Sequence, residues 1–540
     1  MTSTVASTPT PEHAPWPPGW RQRAWSRLAH GWDLIVIGGG ITGAGILNLA
    51  ARSGMRVLLL EQGDFASGTS GRSSKLVHGG LRYLKQMRLR LTRESVQERQ
   101  RLLAAAPELI RPLNFIYPLY QGDRPGAWLM ELGLEMYTHL AQGAGGYQTL
   151  DAVELLMLAP GLKQQGFEVG YLYGDACTDD ARLVLRVLGE GLLAGQGRAC
   201  ALNYARVTGL LRRNGRVVGV AVRDASSGEE AEATAKVVIN ATGAWADRLR
   251  AELAAPARLR PLRGSHLFFR LDRFPVYQAV AMLHPDDGRP VFVYPWEGIV
   301  LLGTTDVDHA ADLDEEPVIS SAEAEYLLRV VQTYFPDLGL TMADVISTQA
   351  GVRPVVDTGK ANPSAETREH VTWPEEGLLT VTGGKLTTFR LIALDGLRAA
   401  RELAPDLPAV SPQALPFSPR PADVRLPAVD TETARRLWGR YGAQAPAVVL
   451  YSPDWLEPVP ETPYLWAEMF WSAAHEAVVH LDDLLLRRFR CGLLLADGGM
   501  GLLSRLRADL QSIMGWDDER WHLEVARYRE IWQRAHAVPR

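Results

Sequence analysis

Residues 33–45 read DLIVIGGGITGAG, and the order of residue types in that stretch decides the fold. Residues 34–37 are a short β-branched run, a glycine cluster follows, residues 44–52 carry a helical pattern, and residues 56–60 form a second apolar run. That succession is a βαβ unit. Gly38, Gly40 and Gly43 place GxGxxG between its first strand and its helix, where missing side chains allow a tight turn, close approach of a pyrophosphate and helix packing on the strand. The helix N-terminus then turns free N–H groups toward negative charge. Glu61, closing the second run, is placed to accept hydrogen bonds from an adenosine ribose, whereas an NADP site prefers a cation there.

Outward from this unit, 540 residues exceed one ordinary core, so two or three domains are expected. Residues 1–15, rich in Ser, Thr, Pro and Ala, carry too little apolar surface to fold, and order is expected from about Trp16. A long basic helical stretch occupies residues 82–106 and stops before Pro107; a second helix is expected over 178–193. Residues 237–240 read as a strand, and residues 291–294 and 299–302 as a hairpin turning at Glu297 and Gly298. This suggests an antiparallel sheet inserted into the nucleotide-binding domain. A turn at 382–385 precedes a helix over 387–402. Residues 405–427 are proline-dense, favouring an extended linker, and 431–533 are helical in pattern.

The composition excludes several classes. A net charge of -5 declares no basic surface for nucleic acid. Cys177, Cys200 and Cys491 form no CxxC pair, against a disulfide framework, a zinc site or a dithiol redox centre. His475 and His480, five apart, share a helix face poorly, so no metal site is read from the histidines. With no signal-peptide core and no stretch of about 20 apolar residues, the expectation is a cytoplasmic protein whose membrane contact, if any, is peripheral.

Three later segments favour FAD over NAD. Residues 67–81, SGTSGRSSKLVHGGL, are dense in small donors and suit a loop wrapping a long cofactor; Thr69, Ser70, Ser74, Lys75, His78 and Gly79 are its candidate contacts. The turn NATGAW at 240–245 ends a strand in the manner of a second nucleotide-contacting turn, bringing in Gly243 and Trp245, with Val207 as a further contact. Gly384, Lys385, Leu386 and Thr387 open a late helix whose donors suit the flavin pyrimidine edge, where negative charge grows on reduction. The expected fold is α/β: a Rossmann-like FAD-binding domain with an inserted antiparallel-sheet substrate domain and a C-terminal helical domain. Its divisions are an extension over 1–32, a discontinuous FAD domain over 33–402 with insertions near 82–175 and 258–345, a linker over 403–428 and helices over 429–540.

These residues resemble the FAD-dependent glycerol-3-phosphate dehydrogenases of aerobic respiration and the related glycerophosphate oxidases. The match runs through SSKLVHGGLRYL (73–84), DACTDDARLVL (175–185), RGSH (263–266), RPVFVYPW (289–296), GTTD (303–306), GVRP (351–354), GGKLTT (383–388) and HEAVVHLDDLLLRRFR (475–490). Gly71, standing where a hydroxyl residue is more usual, and the segment before residue 33 depart from the pattern. The resemblance implies sn-glycerol 3-phosphate as substrate, with Arg82 and Arg353 as phosphate-binding cations and His266, Tyr83 and Lys385 as further pocket residues. Arginine suits a dianionic phosphate because its planar fork matches the oxygens. Oxidation at C2 needs a hydride passed to flavin N5 and a proton accepted from the hydroxyl. His266 is the first candidate base, since imidazole titrates near working pH. His78 and Lys385 are alternatives; His78 would otherwise hold the flavin ring and Lys385 would stabilise its reduced anion. Asp306 and the pair Asp179–Asp180 read as structural hydrogen-bonding groups.

The resemblance further implies transfer of electrons to a membrane quinone, with oxygen as the alternative acceptor, and contact with an anionic membrane surface; oligomerisation stays open. Two segments offer cations for such contact: residues 19–30, GWRQRAWSRLAH, in which Trp20, Ala24, Trp25 and Leu28 share a helix face, and residues 82–101, with Lys85, Arg88, Arg90, Arg93 and Arg99. An FAD-dependent amino-acid oxidase is the competing enzyme class, and a flavoprotein-like module without catalysis the competing non-enzyme, though none of its expected motif losses is present.

Overall fold

The computed structural model describes residues 14–80, 89–124, 126–140, 146–421 and 423–539. Its first sheet sets parallel strands Leu378–Gly383, Glu230–Asn240, Trp32–Ile37, Val57–Leu60 and Ala199–Leu202 side by side, with His370–Glu375 antiparallel at one edge. Where they pair at the centre, Leu34–Ile37, Val57–Leu60 and Val237–Ile239 are apolar because both faces are covered. Helices Ile41–Arg52, Asp180–Ala194 and Phe389–Leu403 cover one face through residues such as Ile46, Val184 and Ile392. The other face carries the meander Ala205–Arg213, Arg216–Asp224 and Glu230–Asn240, of which only the last strand was legible in the sequence.

The second sheet is the inserted one. Its central strand, Leu259–Arg270, pairs along one edge with Ile299–Gly303 and Val307–Asp308 and along the other with Val345–Val356. Pro290–Trp296, Ala279–Leu283, Ile110–Tyr120, Phe167–Thr178 and Tyr147–Leu150 extend it. The insertion therefore reaches Thr178 and Val356, past the expected ends near 175 and 345. The expected hairpin is present, and its turn residues Glu297 (φ 49°) and Gly298 (φ 89°) both take the left-handed conformation that matches strand twist.

The C-terminal helices, among them Thr431–Tyr441, Trp466–His475, Leu503–Met514 and Asp518–Ala535, dock on the FAD domain through buried ion pairs. Arg182 forks onto Glu476, Arg488 and Arg487 both reach Asp64, Arg440 meets Asp179 at 3.2 Å and Arg490 meets Asp180 at 2.9 Å. The proline-dense connection is a packed strap rather than an extended linker. Leu407 and Phe417 enter the main core, and the Pro412 and Pro416 carbonyls accept from Arg390 (2.7 Å) and Asn48 (3.0 Å). A chain without regular pairing leaves its carbonyls to side chains.

The N-terminal helix, Trp20–Trp25, uses its apolar face internally: Ala24 and Leu28 are buried in the core under the meander, with Trp20 and Trp25 packed against it. Arg21, which breaks the apolar arc in sequence, donates to the Asn203 carbonyl (2.8 Å) and pairs with Asp224 (2.9 Å). The apolar face of this segment is thus largely taken up by the chain's own core. The second cationic segment also changes: Arg99 is buried against Asp175 at 2.9 Å, while Arg90 and Arg93 on helix Leu89–Ala105 are exposed. Lys85 and Arg88 lie outside the described residues.

Candidate active site

The cradle between the first strand and helix is built by absence. A Cβ on Gly43 would stand 2.0 Å from the Gly38 carbonyl oxygen, and one on Gly38 would stand 2.5 Å from that of Ala241. Gly38 itself has φ 114°, a region that favours glycine. The Glu61 carboxylate accepts from the Gly39 (2.6 Å) and Gly63 (2.8 Å) amides, and burial pushes its pKa upward against those two bonds. Ser70 Oγ accepts from the Ile41 amide at 2.9 Å, so the serine-rich loop closes over the helix N-terminus. Val207 lies two residues beyond Ala205, whose amide donates to the Glu61 carbonyl. Gly243 accepts from Thr382, while Trp245 packs under Gly68 and donates to Asp314.

Down the same loop the side chains turn to chemistry. Thr69 donates to the Val352 carbonyl, and Ser74 Oγ lies 2.9 Å from His266 Nε2. His266 is buried on the central strand of the inserted sheet, opposite Gln349 and Gly303; a Cβ on Gly303 would overlap the imidazole at 2.2 Å. Burial, with the cations Lys75 and Arg353 adding to it, holds His266 well below the usual imidazole range, so the ring is neutral at neutral pH and does not titrate near working pH as the sequence led one to expect. Lys75 is wholly buried rather than facing an open cleft: its Nζ donates to Gln349 (2.7 Å) and lies 3.4 Å from Asp180, and burial brings its pKa down to about 8.

Arg353 lies flat across Gly264, where a Cβ would be 2.1 Å from its Nη2. It donates to Thr304 Oγ1 (2.9 Å) and Asp306 Oδ1 (3.2 Å). Arg368 Nη2 meets the same carboxylate at 2.7 Å, and Arg289 Nη2 approaches it at 3.9 Å. Burial pushes the Asp306 pKa up, yet these guanidiniums outweigh it and hold the carboxyl below its usual range. Three cations thus face one anion, and Arg368 Nη1 is buried with no hydrogen-bond partner among the described residues. Arginine forks of this kind suit a phosphate or carboxylate.

The flavin-side candidates gather separately. The His78 amide donates to Thr387 Oγ1 (3.1 Å), the Thr387 hydroxyl donates back to the His78 carbonyl, and Gly79 N donates to Asp175 (3.1 Å). Lys385 Nζ donates to Ser95 Oγ at 2.6 Å. Gly384, at φ 80°, turns the chain into the helix start at Leu386. Arg82 and Tyr83 lie outside the described residues. Sequence reasoning missed Arg368, which sits in no glycine-marked motif, and missed the role of Gly264 and Gly303 as floors for two side chains. It noted Asp306 as structural, which the hydrogen bonds agree with, but not that it gathers arginines from three segments.

The glycine cradle, the acidic end of the second strand and the late helix start together define a dinucleotide-binding flavoprotein. The FAD dependent oxidoreductase family model matches residues 33–416, and the model for the C-terminal domain of alpha-glycerophosphate oxidase matches 397–521. The chain is 35% identical over 535 residues to a glycerol-3-phosphate dehydrogenase of Mycobacterium leprae, covering 95% of this chain and 90% of the relative. It is 39% identical over 386 residues to a D-erythritol 1-phosphate dehydrogenase of Brucella abortus, covering 69% and 74%. The solved glycerol-3-phosphate dehydrogenase from Bacillus halodurans, complexed with FAD, superposes with TM-score 0.76 at 26% identity over 97% of this chain and 98% of that one. The chain belongs to the FAD-dependent oxidoreductases, in the glycerol-3-phosphate dehydrogenase family. The residues present fit FAD: without side chains at Gly38 and Gly43 the turn and helix pack directly on backbone, a Cβ on Gly40 would meet little but the Ser70 hydroxyl, and the Glu61 carboxylate closes the second strand.

Proposed function

We propose that this enzyme oxidises sn-glycerol 3-phosphate to dihydroxyacetone phosphate and passes the electrons to a membrane quinone. The observation that carries the substrate is the convergence of Arg289, Arg353 and Arg368 on the single carboxylate of Asp306, on the sheet that also bears His266. A phosphate there is bound by Arg353 and Arg368, and Arg82 joins them in this reading. Bound FAD supplies the two-electron sink for the C2 hydride at its N5. The chain's own residues orient and deprotonate. Ser74 Oγ lies 2.9 Å from His266 Nε2, and in this reading the serine hydroxyl donates to that nitrogen and relays to it the proton leaving the substrate hydroxyl. His78 on the loop and Lys385 at the late helix start hold the flavin edge in this reading.

Mixing the yellow holoenzyme anaerobically with glycerol 3-phosphate, glycerol, D-erythritol 1-phosphate and D-alanine tests the substrate. Bleaching by glycerol 3-phosphate alone, or far faster than by the others, is expected; bleaching by D-alanine instead would overturn it.

The quinone reading is supported by the helix Ala127–Leu140. Its inner face buries Met130, Leu134 and Tyr137, while Trp128, Leu129, Leu132 and Met136 are exposed on the outer face. Val153 and Met157, on the next helix, are exposed as well, so six of the twelve exposed large apolar side chains among the described residues fall within 30 positions. Tyr137 connects this helix to the flavin loop, since its hydroxyl donates to Asp175, which also accepts from Gly79 N. Such a face suits a bilayer carrying a lipid-soluble acceptor. No helix among the described residues is long and apolar enough to cross a membrane. Flotation with anionic vesicles should carry the holoenzyme, and Leu132→Gln/Met136→Gln should abolish it while dye-linked activity persists. Equal flotation of both proteins, or of neither, would remove this surface.

A further inference from the structure

The C-terminal domain sends one side chain into the support of the serine–histidine pair. Arg490 follows a π-helical turn, Asp483–Arg488, and itself takes φ 60° and ψ 0°, a left-handed conformation unusual for a side chain of this size. Non-glycine residues are held there only where surroundings over-determine them. What that backbone achieves is reach. Arg490 Nη2 meets Asp180 Oδ1 at 2.9 Å and the Gly71 carbonyl at 3.3 Å, while Nη1 is anchored on the Leu486 carbonyl at 2.9 Å.

Asp180 divides its two oxygens. Oδ1 takes Arg490 and the Ala181 amide; Oδ2 accepts from the Ser73 amide (2.9 Å), the Ser73 hydroxyl (2.8 Å) and Lys75 Nζ (3.4 Å). Ser74, between those two residues, is hydrogen-bonded to His266 Nε2 at 2.9 Å, and its carbonyl accepts from Tyr294. Gln349 closes the circuit, donating to the Gly71 carbonyl (3.1 Å) and accepting from Lys75. The turn at 73–75 is therefore held in part through one carboxylate, and that carboxylate is held by an arginine from the C-terminal domain. Asp180 and Arg490 are both buried, so water cannot substitute for either partner.

We propose that Arg490 is a positioning residue for proton removal: by holding Asp180 it keeps the Ser73–Lys75 turn in register and Ser74 on His266, which makes the C-terminal domain part of the catalytic assembly. This rests on the reading of His266 as the proton acceptor. Arg490 touches neither phosphate-binding arginine of the inserted sheet, so its loss acts on the rate of flavin reduction and not on substrate affinity.

The test is a double-mutant cycle on purified holoenzymes, with FAD content and the rate of flavin reduction by glycerol 3-phosphate followed anaerobically. Arg490→Met is expected to keep FAD and KM while slowing reduction by about tenfold, with Arg490→Lys in between. In a His266→Gln background the Arg490→Met change should add nothing, because the pair it aligns is already gone. Multiplying losses in the double variant, or reduction by Arg490→Met at the wild-type rate, would overturn the proposal. His266→Gln at the wild-type rate would instead overturn the acceptor reading. Should Arg490→Met fail to accumulate as holoenzyme, the same cycle is read with Arg490→Lys, where an ammonium keeps charge but loses the fork.

Discussion

The nucleotide cradle and the guanidinium cluster at Asp306 are built by opposite means. The cradle works through missing side chains and backbone amides within one βαβ unit: Gly38, Gly40 and Gly43 lie within six positions of each other. The cluster works through long side chains converging from distant strands, with Gly264, Arg289, Asp306, Arg353 and Arg368 spread over more than 100 positions. A site made from local backbone tolerates no added atom. A site made from flexible side chains degrades by steps.

The largest expected effect tests the first half of that contrast. Gly43→Val places a branched side chain where even a Cβ stands 2.0 Å from the Gly38 carbonyl, which is backbone and cannot swing aside. The variant should lose the flavin absorbance altogether; normal FAD content would break the comparison at once. Gly40→Val meets only the Ser70 hydroxyl at 3.0 Å on the protein side, so its loss of colour would report crowding of the pyrophosphate itself.

Arg353→Ala removes one charged fork from a pocket that keeps Arg368 and Arg289. A loss of about 1.5–3 kcal/mol is expected, roughly ten- to hundredfold in kcat/KM. FAD content should not change. Arg353→Lys should recover part of the loss, since it restores charge without bidentate geometry. Wild-type efficiency in the alanine variant would remove Arg353 from phosphate binding.

A smaller effect sharpens the contrast, because it asks a glycine to act through an arginine. Gly264→Ala would push a methyl into the Arg353 guanidinium at 2.1 Å, and a flexible side chain can move. Substrate KM should rise by several-fold, well short of the Arg353→Ala loss, with colour retained. A loss of FAD instead would show that the strand, and not the arginine, had shifted.

The smallest effect concerns neither site. His475 is buried between Trp471 and Tyr451, and neither ring nitrogen has a hydrogen-bond partner among the described residues. Burial lowers its pKa to about 4 against an unfolded value of about 6.5. The unfolded chain binds the proton first, so the contribution is fully present above about pH 6.5 and is lost as pH falls toward 4. His475→Leu should lower Tm less than wild type does across that window; parallel Tm curves would show that this ring is not titrating.

The sequence by itself determined the βαβ unit, the glycine fingerprint, the acidic residue closing the second strand, the hairpin at Glu297–Gly298 and the helical C-terminal region. Each of these is a local pattern: strand and helix periodicities, and turns whose φ angles select glycine, are written in neighbouring residues. It also pointed to His266, Arg353 and Lys385, but only through motif resemblance, which names residues without saying what they touch. The tertiary structure decided the rest. That Arg368 and Arg289 join Arg353, that Lys75 is buried against Asp180 and Gln349, and that the proline-dense segment packs as a strap depend on which strands and helices become neighbours. The basic N-terminal helix shows the limit most plainly: its amphipathic pattern is real, but a pattern states only that one face must leave water, and folding chose the chain's own core over a lipid surface.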